Sequence, residues 1–169
     1  MSTEPIENKV AKSGLVTLEI SSFVPKETIH ELDIKDHLWQ GFALREKEFR
    51  EFIKTNDWEK YKDALVSIHC SADAIVPNWA FMLIASELTG VAEELFFGTP
   101  KEFRKQLIIR AIQNLNPKNY KDERIIIKGC GDELIDYAAF GYITSALKPV
   151  VKSLMFGEPC STVPIYKKR

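Results

Sequence analysis

YKDALVSIHCSADAIVPNWAFMLIASELTGVAEELFFG (residues 61–98) and YKDERIIIKGCGDELIDYAAFGYITSALKPVVKSLMFG (residues 120–157) align without a gap at a constant offset of 59. The opening Tyr-Lys-Asp, Asp73/Asp132, Ala80/Ala139, Phe81/Phe140 and the closing Phe-Gly are identical in both. Self-similarity at a fixed period marks a repeated supersecondary unit. Within each copy a short apolar run, a loop, a helical stretch and a second short apolar run follow one another. The first copy predicts a strand over 64–69, a helix from Pro77 or Asn78 to Leu88 ended by Gly90, and a strand over 92–97. The second predicts a strand over 124–128, a helix over 136–147 and a strand over 151–156. Each copy thus reads as βαβ.

Between them, Thr99-Pro100 with Glu102 gives an N-cap, a proline at the first helical position and a capping box. This opens a helix expected to reach Leu115. Before the repeats, Leu15–Ile20 and Ile29–Ile34 read as strands, the second with strict alternation. Apolar positions at Phe49, Phe52 and Ile53 predict an amphipathic helix over 44–54. Trp79, Phe81, Met82, Leu83 and Ile84 leave the helix of the first copy apolar on several sides, so it is expected to be buried as core. The tail from Gly157, with Pro159 and Pro164, reads as irregular.

Strands alternating with helices imply an α/β fold. The expectation is a single domain over 1–169 with a mostly parallel sheet and helices on both faces. It is built on an internal βαβ duplication (61–98 and 120–157), with an N-terminal strand pair within 1–40. If the first strands of the two copies lie side by side, the repeat strands take the order 2-1-3-4. The loops after strands 1 and 3 then diverge at a switch point, where open α/β sheets bind ligands.

Composition limits the function classes. Of 169 residues, 45% are hydrophobic and 28% charged, and the net charge is −1. That is ordinary for a globular domain and gives no electrostatic reason for nucleic acid or a membrane surface as a partner. No apolar run approaches the roughly 20 residues of a transmembrane helix. The start, MSTEPIENK, lacks the basic and apolar regions of a signal peptide. With three cysteines, this points to a reducing, cytoplasmic setting. The partner is an unidentified small molecule or protein, and a homo-oligomer is left open.

Cys70, Cys130 and Cys160 each follow the carboxyl end of a predicted strand. Three thiolates and one further ligand suit a tetrahedral zinc site. Cys70-Ser-Ala-Asp73 is a short local chelate, so Asp73 is the preferred fourth ligand, before His69, Asp132 or water. As the last strand residue, His69 is expected to point away from Cys70. The spacing contains no Cys-x-x-Cys knuckle, and buried cysteines often serve as small apolar filler. Two alternatives therefore stand beside metal binding. One is a non-catalytic binding or interaction module with structural cysteines. The other is a thiol-dependent enzyme using Cys70 or Cys130 with His69 nearby. Gly129-Cys130-Gly131 lacks the third glycine of a dinucleotide fingerprint and any Walker lysine, so a nucleotide is not expected. His30 and His37 read as surface residues, and Trp39 and Trp58 as packing residues.

Three segments carry a family resemblance: Cys70 to Pro77 (CSADAIVP), Ile127 to Cys130 (IKGC) and Gly157 to Lys167 (GEPCSTVPIYK). Asn8 to Leu15 (NKVAKSGL) fits as well. With these motifs the chain resembles, over nearly its whole length, the bacterial family catalogued as domain of unknown function 2480. The family carries no established activity. The resemblance implies that Cys70, Asp73, Cys130 and Cys160 fall on its motif positions, and it supplies no mechanism.

Overall fold

The computed structural model describes residues 14–129 and 134–169. The strands are β1 (Leu15–Glu19), β2 (Ile29–Asp33), β3 (Leu65–His69), β4 (Glu94–Phe97), β5 (Arg124–Lys128), β6 (Ser153–Glu158) and β7 (Ser161–Lys167). The α-helices are α1 (Glu46–Thr55), α2 (Asn78–Leu88), α3 (Pro100–Gln113) and α4 (Tyr137–Leu147). The fold is α/β with mostly parallel strands, as the alternation of strand and helix predicts. The strands form two sheets, ordered β2-β3-β4 and β1-β5-β6-β7. The described residues divide into two compact units. Unit 1 holds those up to Pro25 and from Lys105 to Arg169; unit 2 is Lys26–Arg104.

Two expectations are corrected here. The N-terminal strands do not pair with one another: β1 runs parallel to β5, and β2 parallel to β3. Nor do β3 and β5 share a sheet, so the order 2-1-3-4 does not occur. The reason lies in strand character. Leu65-Val66-Ser67-Ile68 and Ile125-Ile126-Ile127 are buried, with no alternation. Such a strand belongs inside a parallel sheet with a neighbour on each edge. An N-terminal strand supplies the second neighbour in each case.

The two units repeat one another locally. β3 and β5, and α2 and α4, begin 59 residues apart. Asp63 and Asp122, which close the two Tyr-Lys-Asp motifs, both have left-handed backbones, with φ of 53° and 59°. The Asp63 N–H donates to the Val91 carbonyl (2.9 Å) and the Asp122 N–H to the Val150 carbonyl (2.8 Å). Each bond ties the entry of the first repeat strand to the turn after the helix. α2 buries Ala80, Ile84 and Leu88, and α4 buries Ala139, Ile143 and Leu147. These i, i+4, i+8 stripes are one helical face. α2 is thus buried on one face and not all round: Met82 is 70% exposed.

α1 meets its expectation. It buries Phe49 and Ile53 and pairs Arg50 with Glu46 (2.9 Å) on its outer face. The capping box at α3 forms too: Glu102 Oε2 accepts from the Thr99 N–H and hydroxyl, both at 2.8 Å. His37 is less of a surface residue than its charged surroundings suggest, because it stacks on Phe52 with ring centroids 3.6 Å apart. The tail is also more ordered than its prolines suggest: Ser161–Lys167 forms β7, antiparallel to β6. Pro164 fits because β7 is the sheet's edge, where a missing N–H costs no ladder bond.

The left-handed backbone at Asp63 gives a direct test. Asp63→Val is expected to cost about 1–2 kcal/mol, the penalty of a branched residue in that region, while Asp63→Gly stays near neutral. Chemical denaturation of the three proteins measures it. Equal stability of Val and Gly would contradict the assignment.

Candidate functional site

In unit 2 a cleft of about 700 Å³ opens at the carboxyl ends of β3 and β4 beside the first turns of α2. Its walls are mainly apolar, with Ile68, Val76, Phe81, Met82 and Phe97 among them, and its polar side chains are His69, Cys70 and Asn78. The size and the ratio of apolar to polar groups are those of a small-ligand pocket, and the carboxyl end of parallel strands is where such pockets form.

The local sequence builds this shape. Ser67 on β3 is fully buried, and its hydroxyl donates to the Gly98 carbonyl (2.7 Å), fixing the end of β4 against β3. A Cβ at Gly98 would lie 2.6 Å from the Phe96 ring, so the turn requires glycine there. Phe81 of α2 meets Phe97 of β4 edge to face, with centroids 6.3 Å apart. Phe97 nevertheless remains 53% exposed.

Polar contacts hold the strand ends beside the cleft. The His69 Nε2 lies 2.7 Å from Glu31 Oε1, so β2 and β3 are joined at their carboxyl ends. Asp33 accepts from the Ser71 N–H (3.0 Å), the Ser71 hydroxyl (2.6 Å) and the Lys35 N–H (3.0 Å), with the Lys35 ammonium 3.1 Å away. Burial raises the Asp33 carboxyl. The hydrogen bonds from Ser71 and Lys35 together outweigh it and hold the group well below the usual carboxylate range. The result is a latch: Asp33 pins the start of the loop that carries Cys70.

The cysteine expectations fare unevenly. Cys70 lines the cleft, half-buried, and its thiol is 3.6 Å from the Ala72 carbonyl, which it faces as donor. His69 lines the same cleft, with its Nε2 on Glu31. Asp73 is exposed on the same loop. Cys160 belongs to unit 1, at the turn between β6 and β7, and is exposed. Cys130 and Asp132 lie outside the described residues. Among the described residues, the group of three donor side chains within 4.8 Å of one another is Glu31, Asp33 and His69, with no cysteine in it. Two of Asp33's partners, Ser71 and Lys35, already compete for its oxygens.

Unit 1 contains a counterpart of the cleft. Ile127, Phe140, Thr144 and Phe156 stand at the positions of Ile68, Phe81, Ala85 and Phe97. Phe140 and Phe156 also meet edge to face, at 5.3 Å. Here the space is only about 240 Å³, and Ile165 of β7 lines it. At the strand ends nearby, Lys128 lies 2.9 Å from Glu158 and 3.7 Å from Glu19. The hydrogen bond to Glu158 raises the Lys128 ammonium above its ordinary value. α4 is capped by Asp136, which accepts from the Ala138 N–H (3.0 Å) and from Lys105 (2.9 Å); no side chain caps α2.

Sequence reasoning missed the aromatic and methionine walls, Phe81, Met82 and Phe97. Two of the three were visible as the repeat identities Phe81/Phe140 and Phe97/Phe156. Hydrophobic periodicity marks such residues as apolar and cannot say which apolar residues are left uncovered.

A family model described as a protein of unknown function (DUF2480) matches residues 4–168. No curated protein and no solved structure matches the chain. No helix among the described residues is long and apolar enough to cross a membrane.

Because the Asp33 carboxyl is depressed in the folded state, its stabilising effect is present above the ordinary value of 3.8 and is lost as the pH falls toward the depressed one. Asp33→Asn is therefore expected to lower stability at neutral pH and to flatten the acid limb of a stability–pH curve below about pH 4. An acid limb identical to the parent's would contradict the latch.

Proposed function

We propose that this chain, which belongs to the DUF2480 family, is a binding module whose unit 2 cleft takes an apolar ligand. One observation carries this reading: an open cavity of about 700 Å³ in which Met82 and Phe97 stay exposed at the edge of a packed core. Single exposed apolar residues are common, but apolar residues that converge on one cavity mark a binding surface. Filling the cleft would remove these side chains from water, each worth about 1.5–3 kcal/mol on full burial. His69, Cys70 and Asn78 supply the few polar contacts that orient a ligand.

The thiol-enzyme reading has less support. His69 spends Nε2 on Glu31, and the Cys70 thiol faces the Ala72 carbonyl. Neither contact couples the imidazole to the sulfur as a nucleophile and its base would be coupled. The zinc reading, on Cys70, Asp73, Cys130 and Cys160, rests on the sequence. About one zinc per chain in untagged protein, lost in Cys160→Ser, is the result that would favour it.

The cleft is testable with a neutral, environment-sensitive dye such as Nile red. The parent protein is expected to enhance its fluorescence saturably. Ala85→Trp, which places an indole in the cleft from the wall of α2, is expected to weaken binding about tenfold or more, as loss of one buried apolar group would. Melting curves confirm that the variant is folded. Dye binding unchanged by Ala85→Trp would overturn the reading.

A further inference from the structure

The carboxyl ends of β2 and β3 bring together three side chains able to hold a metal ion. Register pairs Asp33 with His69, and Glu31 lies two residues before Asp33, so the three share one face of the sheet. Their donor atoms, two carboxylate oxygens and an imidazole nitrogen, lie within 4.8 Å of one another. The side chains of Asp33 and His69 are 9% and 11% exposed, which holds them in place, and Glu31, at 52%, is the open side.

The two Asp33 oxygens have different partners. Oδ1 accepts from the Ser71 and Lys35 N–H groups, which fix the orientation of the carboxylate. Oδ2 accepts from the Ser71 hydroxyl and has the Lys35 ammonium 3.1 Å away, at the end of a half-exposed side chain. A divalent ion would displace that ammonium and keep the Ser71 bonds, the kind of support that orients a ligating carboxylate. The 2.7 Å contact between His69 Nε2 and Glu31 Oε1 is bridged by a proton. An ion with bonds of about 2.0–2.2 Å to both atoms would replace it once they open to about 3 Å, and the proton passes to Nδ1 or to water.

Unit 1 meets the same corner of its sheet with a built-in cation. There register pairs Glu19 with Lys128, the residue 59 positions after His69. The Lys128 ammonium lies 2.9 Å from Glu158 and 3.7 Å from Glu19. Unit 2 has an imidazole in place of that ammonium and, where β1 has Thr17, a second carboxylate, Glu31. The corner that neutralises its own carboxylates in unit 1 offers lone pairs in unit 2.

The geometry points to a divalent-cation site formed by Glu31, Asp33 and His69, suited to ions of the first transition row. An imidazole nitrogen suits these ions, whereas magnesium and calcium take oxygen ligands. Three protein ligands leave further positions for water or for a group of a bound molecule. No cysteine takes part, which separates this site from the thiolate one considered above.

Cobalt(II), a spectroscopic stand-in for zinc, tests this on the untagged full-length protein. One equivalent is expected to bind saturably, with d–d absorption and without the intense thiolate charge-transfer band. Glu31→Gln, an isosteric change at a half-exposed position, and His69→Gln are each expected to weaken binding about tenfold or more. Lys35→Met, which removes the competing ammonium, is expected to tighten it about threefold or more. Melting curves in excess chelator confirm that the variants are folded. Cys160→Ser and Ala85→Trp are expected to leave the affinity unchanged, so the thiolate and cleft readings stand or fall separately. A thiolate band, an affinity unchanged in both Glu31→Gln and His69→Gln, or no saturable binding up to about 1 mM cobalt overturns the inference.

Discussion

A parallel strand that is buried on both faces must be hydrogen-bonded on both edges, and each unit is built around one such strand. In unit 2 it is β3, between β2 and β4; in unit 1 it is β5, between β1 and β6. Every backbone amide left without a partner there would cost more than a typical hydrogen bond returns. The βαβ segment alone covers one edge, and the other edge recruits a strand from the N-terminal part of the chain. That requirement explains why β1 and β2, close in sequence, go to different sheets. It also places the Asp33 carboxylate beside the loop after β3, where it holds Ser71.

Most elements were legible because they depend on local chemistry. The alternation of strand and helix, the Thr99–Glu102 capping box and the Phe49/Ile53 stripe of α1 all predicted what is observed. Pairing was not legible, because a strand's partner is decided by long-range geometry. Ile29–Ile34 alternates in a way that suits a hairpin as well as the edge of a parallel sheet. β7 was hidden by Pro159 and Pro164, which signal an irregular chain when their neighbours are unknown and are harmless on an edge strand.

The candidate site was legible in part. Placing Cys70 and His69 at the carboxyl end of a central strand was sound, and both are among the residues that line the cleft. What could not be read was which apolar residues would be left exposed. Phe81 and Phe97 line a wide cleft, whereas Phe140 and Phe156 line a small one to which β7, beyond the second copy, adds Ile165.

The shortness of β4 has one further consequence. An uncovered sheet edge is a template for self-association, and proteins blunt such edges by keeping them short or by interrupting them. β6, with six residues, is long enough to nucleate a ladder between molecules, and β7 occupies its free side. β4 has four residues and runs directly into Gly98, Thr99 and Pro100, the last of which has no N–H to offer. Any ladder built on it would be brief, ending where Pro100 has no N–H to give. Unit 2 can thus keep an apolar groove open to water with little risk of fibril formation.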